Sequence, residues 1–492
     1  MYLGIDCGTQ GTKALLVDAN GFPCGHGYAR HQIIERESGA REQNPEWWIS
    51  ALRLAVSEAI APAADRVIAI GVSGQQHGLV VLDENHQVIR PAKLWNDTET
   101  SAQNEELIQQ FGGRSEWFRR FGIVPLTGYT VSKLLWLKQK EPQHFTRIRH
   151  ILLPHEYLNF WLTGEVCAEP GDASGTAFFN VNTRTWQREI LDFIDGGTGQ
   201  LFAALPRLIG SDDVVGRIRP EVAAELKLPS TTVVSSGGGD NMMGAIGTGN
   251  VREGNVTLSL GTSSTVYSFS ERAPRDPTGN VAPFCSSSGG WLPLVCTMNA
   301  TNVVTATVAL IGKTLADIDT ALDLTEPGAG GLTFLPFLNG ERTPDMPNAR
   351  GSLVGISTTN YTKPNFLRAA VEGVTFGLLN GLDLVLAGKR AESIQVIGGG
   401  ARSSAWRQLL ADATGAQISV PAEEESGCLG AAIQAMVASS RMNGIAQTFQ
   451  SVTDRCVRID GHSTSERRAT FRAQYDLSRH RYNERLRELY RS

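Results

Sequence analysis

The sequence predicts an α/β protein of two domains, and three observations carry that expectation. The chain has 492 residues, more than one hydrophobic core accommodates, so it is expected to divide. Two look-alike segments, Leu3 to Asp18 and Val256 to Tyr267, start about half a chain apart. Near residue 400 a strand, a glycine turn and a helix follow one another.

Each look-alike segment is an apolar run, a Gly-Thr turn and a second apolar run, which reads as a β-hairpin with a polar tip, at Gly8-Thr9 in the first and Gly261-Thr262 in the second. A duplicated architecture with a boundary near residue 246 follows, with domains 1–245 and 246–492. The alternative is that any α/β protein carries several such hairpins. After Pro364, Leu367, Val371, Val374 and Leu378 recur at helical spacing. Ile394 to Ile397 reads as a short strand, Gly398 to Gly400 as a turn and 404–413 as a helix, an order that places free N–H groups where an anion is favoured. From Glu466 to Ser492 the tail holds eight arginines, yet Phe471, Tyr475, Tyr482, Leu486 and Leu489 share one helical face, so a docking helix with solvated arginines is expected. Trp47 and Trp48 are expected to pack in the core.

Composition narrows the function classes. A hydrophobic fraction of 41% and a charged fraction of 19% are those of an ordinary globular protein. With 45 Lys and Arg against 50 Asp and Glu, the surface does not attract nucleic acid or an anionic membrane. Seven scattered cysteines without a C-x-x-C pair argue against a disulfide framework and a structural zinc site. No signal-peptide core opens the chain and no stretch approaches about 18 unbroken apolar residues, so a cytoplasmic location is expected.

Several segments carry chemistry-bearing residues. Gly312-Lys313-Thr314 has Thr307 where a Walker A loop needs glycine, and the protein-kinase glycine loop is missing. The two Gly-Thr tips remain as phosphate cradles, with Lys13 as a point charge at the first. Asp6 closes the first strand, where a carboxylate holds Mg²⁺ or caps the turn. Asp240 follows Gly237-Gly238-Gly239, where it serves as a proton acceptor or an Asx cap. Gln75, Gln76 and His77 stand between Gly74 and Gly78 and offer donors and acceptors for a polyhydroxylated ligand; a lone histidine also serves structure alone. His155-Glu156 lacks the second histidine of H-E-x-x-H, and the G-x-S-x-G elbow of serine hydrolases is missing.

Taken together, these motifs resemble the FGGY family of carbohydrate kinases, members of the actin-like ATPase superfamily. The resemblance spans the chain in order: Asp6-Cys7-Gly8-Thr9 with Lys13, Gly74 to Gly78, Leu94-Trp95-Asn96-Asp97, Ser132-Lys133-Leu134-Leu135-Trp136, Gly237 to Asn241, Ser259 to Ser263, Gly340 to Pro344, and Gly398 to Ser403. It implies two actin-like (ribonuclease H-like) domains with a ligand cleft between them, the first for sugar and the second for ATP. It also implies that Asp240 is the general base and that Gln76, His77, Asp240 and Asn241 contact the sugar. Asp6 would organise Mg²⁺, and Gly8, Thr9, Lys13, Gly261 and Thr262 would lie near the phosphates of ATP. Gly399, Gly400, Ala401 and Ser404 would surround the adenine, although Ser404 stands where glycerol kinases carry Asn.

The segment Gly74 to Gly78 is similar to that of family members acting on D-xylulose, whereas glycerol kinases carry an Arg-Glu pair. The implied reaction is therefore transfer of the γ-phosphoryl group to the terminal hydroxyl of a ketopentose, D-xylulose first. Rivals are a sister kinase for ribulose, fuculose, glycerol or gluconate, an actin-like ATPase scaffold, and a sugar sensor that has lost catalysis. The partners expected are a small-molecule sugar and ATP, with no nucleic acid and no membrane; a homodimer is left open.

Overall fold

The computed structural model describes all residues except Pro62, 461–466 and 491–492. The chain forms two compact α/β units. The first comprises Met1–Val251, Ser270–Leu292 and Glu425–Val457; the second comprises Arg252–Phe269, Pro293–Glu424 and Arg458–Ser492.

The first unit is built on a seven-stranded sheet. Tyr2–Cys7 and Gly11–Val17 form the expected antiparallel hairpin, and Pro23–Arg30 extends it. On the other side Ala69–Gly74 runs parallel to Tyr2–Cys7, and Val233–Ser235 runs parallel to Ala69–Gly74. Leu3, Ile5, Leu16, Ile70 and Val72 are fully buried on this sheet, in line with strands covered by helices on their faces.

The second unit repeats the plan. Asn255–Leu260 and Ser264–Ser268 form an antiparallel hairpin, Ser393–Ile397 runs parallel to the first of these strands, and Gln417–Ser419 runs parallel to Ser393–Ile397. The helix Lys363–Leu386 carries Leu367, Val371, Val374 and Leu378 into the core of this unit. It is long and apolar enough to cross a membrane, but most of it is buried in protein.

By contacts, the first unit reaches beyond the expected cut near residue 246 and includes Glu425–Val457. The cause is the helix Ser426–Met442, which is apolar on nearly all sides and buried along most of its length. Such a helix needs cover all round. Glycines provide the close approach: a Cβ on Gly4 would stand 1.8 Å from Cys428 O, and one on Gly71 would stand 1.9 Å from Ala431 O.

The C-terminal helix, Ala469–Leu489, docks through buried Tyr475 and Tyr482, with Phe471 and Leu486 partly buried against the core. Leu489, expected on the same face, is 51% exposed; it lies at the final turn, past the surface the helix covers. Glu466 and Arg491 of the tail lie outside the described residues. Trp48 is fully buried and donates from Nε1 to Gln43, whereas Trp47 is only half-buried.

Candidate active site

Three strand ends in the first unit bring the residues expected on the sugar side together. Asp6 pairs in register with Ser73, and the short strand Gly238–Gly239 pairs with Ser73 and Gly74. Three backbones therefore leave the sheet at one edge. Asp6 closes the first, Gln75 to His77 follow the second, and Asp240 opens the helix Asp240–Gly247 after the third. Ligands of open α/β sheets bind outside the carboxyl ends of strands.

At this edge Asn241 donates from Nδ2 to Gln76 Oε1 at 2.9 Å and to Asp240 Oδ1 at 3.0 Å. The Asn241 backbone N–H donates to the same Oδ1 at 2.8 Å. Gln76 Nε2 is buried without a partner, an unsatisfied donor of the kind a hydroxyl group would satisfy. A Cβ on Gly239 would meet Gln76 Cγ at 2.7 Å, so glycine lets the loop lie against this amide.

His77 adopts a left-handed backbone, φ 62°, which is uncommon for a residue with a side chain. Its Nδ1 lies 2.9 Å from Gly175 O. A carbonyl only accepts, so Nδ1 carries the proton. The ring stacks on Tyr129, with centroids 4.4 Å apart and planes 24° apart.

The carboxylates interact electrically. Burial, then the charges of Asp6 and Asp172, push Asp240 up to about 7, against the hydrogen bonds from Asn241. A carboxylate poised there is a competent base at neutral pH. Asp6 is raised mainly by burial, opposed by the Ser73 hydroxyl, which donates to Asp6 Oδ1 at 2.5 Å, and by Lys13. His155 Nδ1 and Asp172 Oδ2 form a fully buried pair at 2.7 Å.

A magnesium ion fits Asp6. Asp6 stands at a strand end and has Asp240 as a like-charged neighbour whose repulsion a cation would relieve. Mg²⁺ keeps most of its waters and needs one or two carboxylates. A second gathering of acids, Glu42, Asp97 and Glu99, does not fit, because Lys93 Nζ already fills it at 3.2, 3.0 and 2.5 Å.

The expected phosphate and adenine residues fall in two groups. In the first unit Gly8 N–H donates to Gly11 O and closes the hairpin tip. The Thr9 hydroxyl donates to Gln75 Oε1 at 3.0 Å and accepts from Trp95 Nε1 at 3.0 Å. A hydroxyl has one proton, so Thr9 is left with its backbone to offer. Lys13 is ion-paired with Glu425 at 2.6 Å. In the second unit the Gly261-Thr262 tip and the Gly398–Gly400 turn lie side by side, since a Cβ on Gly398 would meet Leu260 O at 2.8 Å and one on Gly400 would meet Leu260 Cβ at 2.8 Å. Thr262 and Gly399 are exposed and Ala401 is buried. The Ser404 hydroxyl donates to Asp319 Oδ2 at 2.8 Å, so it faces a carboxylate of its own unit.

No local pattern gives Gln43, Trp95, Tyr129, Lys133, Asp172 or Glu425 an individual role. Trp95 and Lys133 stand inside quoted motif segments, so a signal existed for them. The others are placed by tertiary contacts alone.

The family's N-terminal domain matches residues 1–247 and its C-terminal domain residues 256–439. The chain belongs to the FGGY family of carbohydrate kinases. It is 43% identical over 501 residues to the xylulose kinase of Haemophilus influenzae, covering 100% of both chains. Among solved structures it is similar to a xyloylose kinase from Brucella ovis (TM-score 0.90, 31% identity, 99% of each chain). A gluconate kinase from Lactobacillus acidophilus has a TM-score of 0.91 at 25% identity, over 99% of this chain and 97% of that one. This carbohydrate kinase therefore shares its fold with proteins named for different sugars, and its substrate must be argued from the site.

Proposed function

We propose that this kinase transfers the γ-phosphoryl group of ATP to the terminal hydroxyl of D-xylulose, yielding D-xylulose 5-phosphate and ADP. The observation that carries the reading is Asp240: its Oδ1 is held by Asn241, its ionisation lies near neutrality, and it stands beside the unsatisfied Gln76 amide. The sequence relative named xylulose kinase adds support for the choice of sugar.

In this reading Gln76, His77 and Asn241 bind and orient the ketose. The sugar's terminal oxygen attacks the γ-phosphorus, the bond to the ADP oxygen breaks, and Asp240 takes the hydroxyl proton. Gly8, Thr9 and Lys13 in the first unit, with Gly261 and Thr262 in the second, would hold phosphates. Gly399, Gly400, Ala401 and Ser404 would lie around the adenine. When bound, Mg²⁺ would supply neutralisation of phosphate charge, with Asp6 as the residue that would hold it, directly or through water. Phosphoryl transfer asks chiefly for alignment and charge compensation, and these side chains supply both.

The test is a coupled ADP-release assay with Mg-ATP across D-xylulose, ribulose, fuculose, glycerol and gluconate. The expected result is the highest kcat/KM for D-xylulose. A higher value for any other sugar overturns the substrate, and sugar-independent ADP release overturns the kinase reaction.

A further inference from the structure

Lys133 is fully buried in the first unit, and among the described residues it makes no ion pair. Lysine is almost never fully buried unless paired. Here Nζ donates instead to two carbonyl oxygens, His77 O and, at 2.7 Å, Gly128 O. Its nearest acidic influence is Asp97, which already accepts from Lys93 at 3.0 Å. Burial pulls the ammonium down to about 7. The neutral amine keeps two protons, enough for both carbonyls, so the clamp survives deprotonation. For stability alone, an apolar side chain of similar volume avoids this desolvation cost.

The clamp acts where the sugar segment is conformationally costly. His77 is left-handed, a strained conformation that persists only where its surroundings hold it. Its carbonyl also accepts from Thr130 Oγ1 at 3.2 Å, and its ring stacks on Tyr129. One short stretch, Tyr129 to Lys133, thus grips both ends of the residue. On its other side Lys133 holds Gly128, which packs so closely on Trp95 that a Cβ there would stand 2.1 Å from Trp95 O. Trp95 in turn donates to the Thr9 hydroxyl.

We infer that Lys133 is a positioning residue for sugar recognition: by tying the carbonyls of His77 and Gly128 together, it sets the angle at which the His77 imidazole meets the sugar. The inference rests on the proposed sugar-binding role of His77, not on the identity of the sugar.

The test uses the full chain with whichever sugar the wild type prefers, so a wrong substrate and a wrong role for Lys133 are told apart. Lys133→Met is expected to raise the sugar KM at least tenfold, leave the ATP KM within twofold and leave thermal unfolding within a few degrees. Lys133→Gln, which restores two donors, is expected to recover part of the sugar KM. In a His77→Ala background, Lys133→Met should add less than twofold, because the residue it positions is gone. If Lys133→Met does not fold, Thr130→Val, which removes the other side-chain donor to His77 O, is expected to raise the sugar KM about two- to fivefold with the ATP KM unchanged. An unchanged sugar KM, equal rises for sugar and ATP, or additive effects with His77→Ala would overturn the inference.

Discussion

The side-chain amide of Asn241 bridges Gln76 Oε1 and Asp240 Oδ1, at 2.9 and 3.0 Å, tying together segments 165 residues apart in sequence. Oδ1 of Asp240 is thereby committed, and Oδ2 makes no hydrogen bond among the described residues. Oδ2 is the atom left to receive a proton.

Asp240→Asn keeps the shape and removes the proposed base. Turnover is expected to fall by about 10²–10⁴-fold, while the sugar dissociation constant, measured by calorimetry, changes less than about threefold. Turnover within tenfold of wild type would remove Asp240 from the proposed role.

Ionisation of Asp240 sets a pH limb. The base is active when ionised and is pushed up to about 7, so kcat/KM for the sugar should fall as pH drops through about 7 and level off above it. The same shift has a stability consequence of opposite sense. A carboxyl whose folded pKa is raised favours the folded state at low pH and disfavours it as pH rises above its unfolded value. Asp240→Asn should therefore raise the melting temperature at pH 8 and change it little at pH 4.

Asn241→Ala removes the Nδ2 donor from Asp240 and from Gln76 and leaves the backbone N–H donor to Asp240 in place. The side-chain hydrogen bond is one of two from Asn241 that hold the Asp240 pKa down, so the acid limb is expected to move to higher pH. A hydrogen bond to a charged group contributes roughly 1.5–3 kcal/mol, which corresponds to about a 10- to 150-fold loss of kcat/KM. A limb that stays in place would show that Asn241 does not act on the base.

Gly430→Ala tests the packing of the returning helix. A Cβ there would stand 1.8 Å from Met243 O, on the helix that begins at Asp240. Backbone must shift, so a destabilisation of about 1–3 kcal/mol is expected in denaturant unfolding. A variant as stable as wild type would mean the two helices separate without cost.

Much of this architecture was legible in the residues. Both hairpins, the helix after Pro364 and the strand–glycine–helix run near residue 400 are local patterns, carried by hydrophobic period and glycine position over a few residues. Asp6, Gln76, His77, Asp240 and Asn241 announced themselves because polar side chains stood directly after apolar strands and among glycines. The return of Glu425–Val457 to the first sheet was not legible, since an apolar helix does not record in its own sequence which sheet it covers. Nor was the capture of the Thr9 hydroxyl by Gln75 and Trp95, or of Ser404 by Asp319, because each depends on a partner many residues away.

By itself the sequence determined the α/β class, the paired hairpins and which polar side chains stand at strand ends, because these follow from short-range periodicity and backbone chemistry. Tertiary structure alone decided which oxygen of Asp240 is left for a proton, that two acidic neighbours and burial hold that carboxylate near neutrality, and that a buried lysine grips His77. Those properties depend on distances of a few ångströms between residues far apart in the chain, and electrostatic and hydrogen-bond energies are set by such distances and by the exclusion of water.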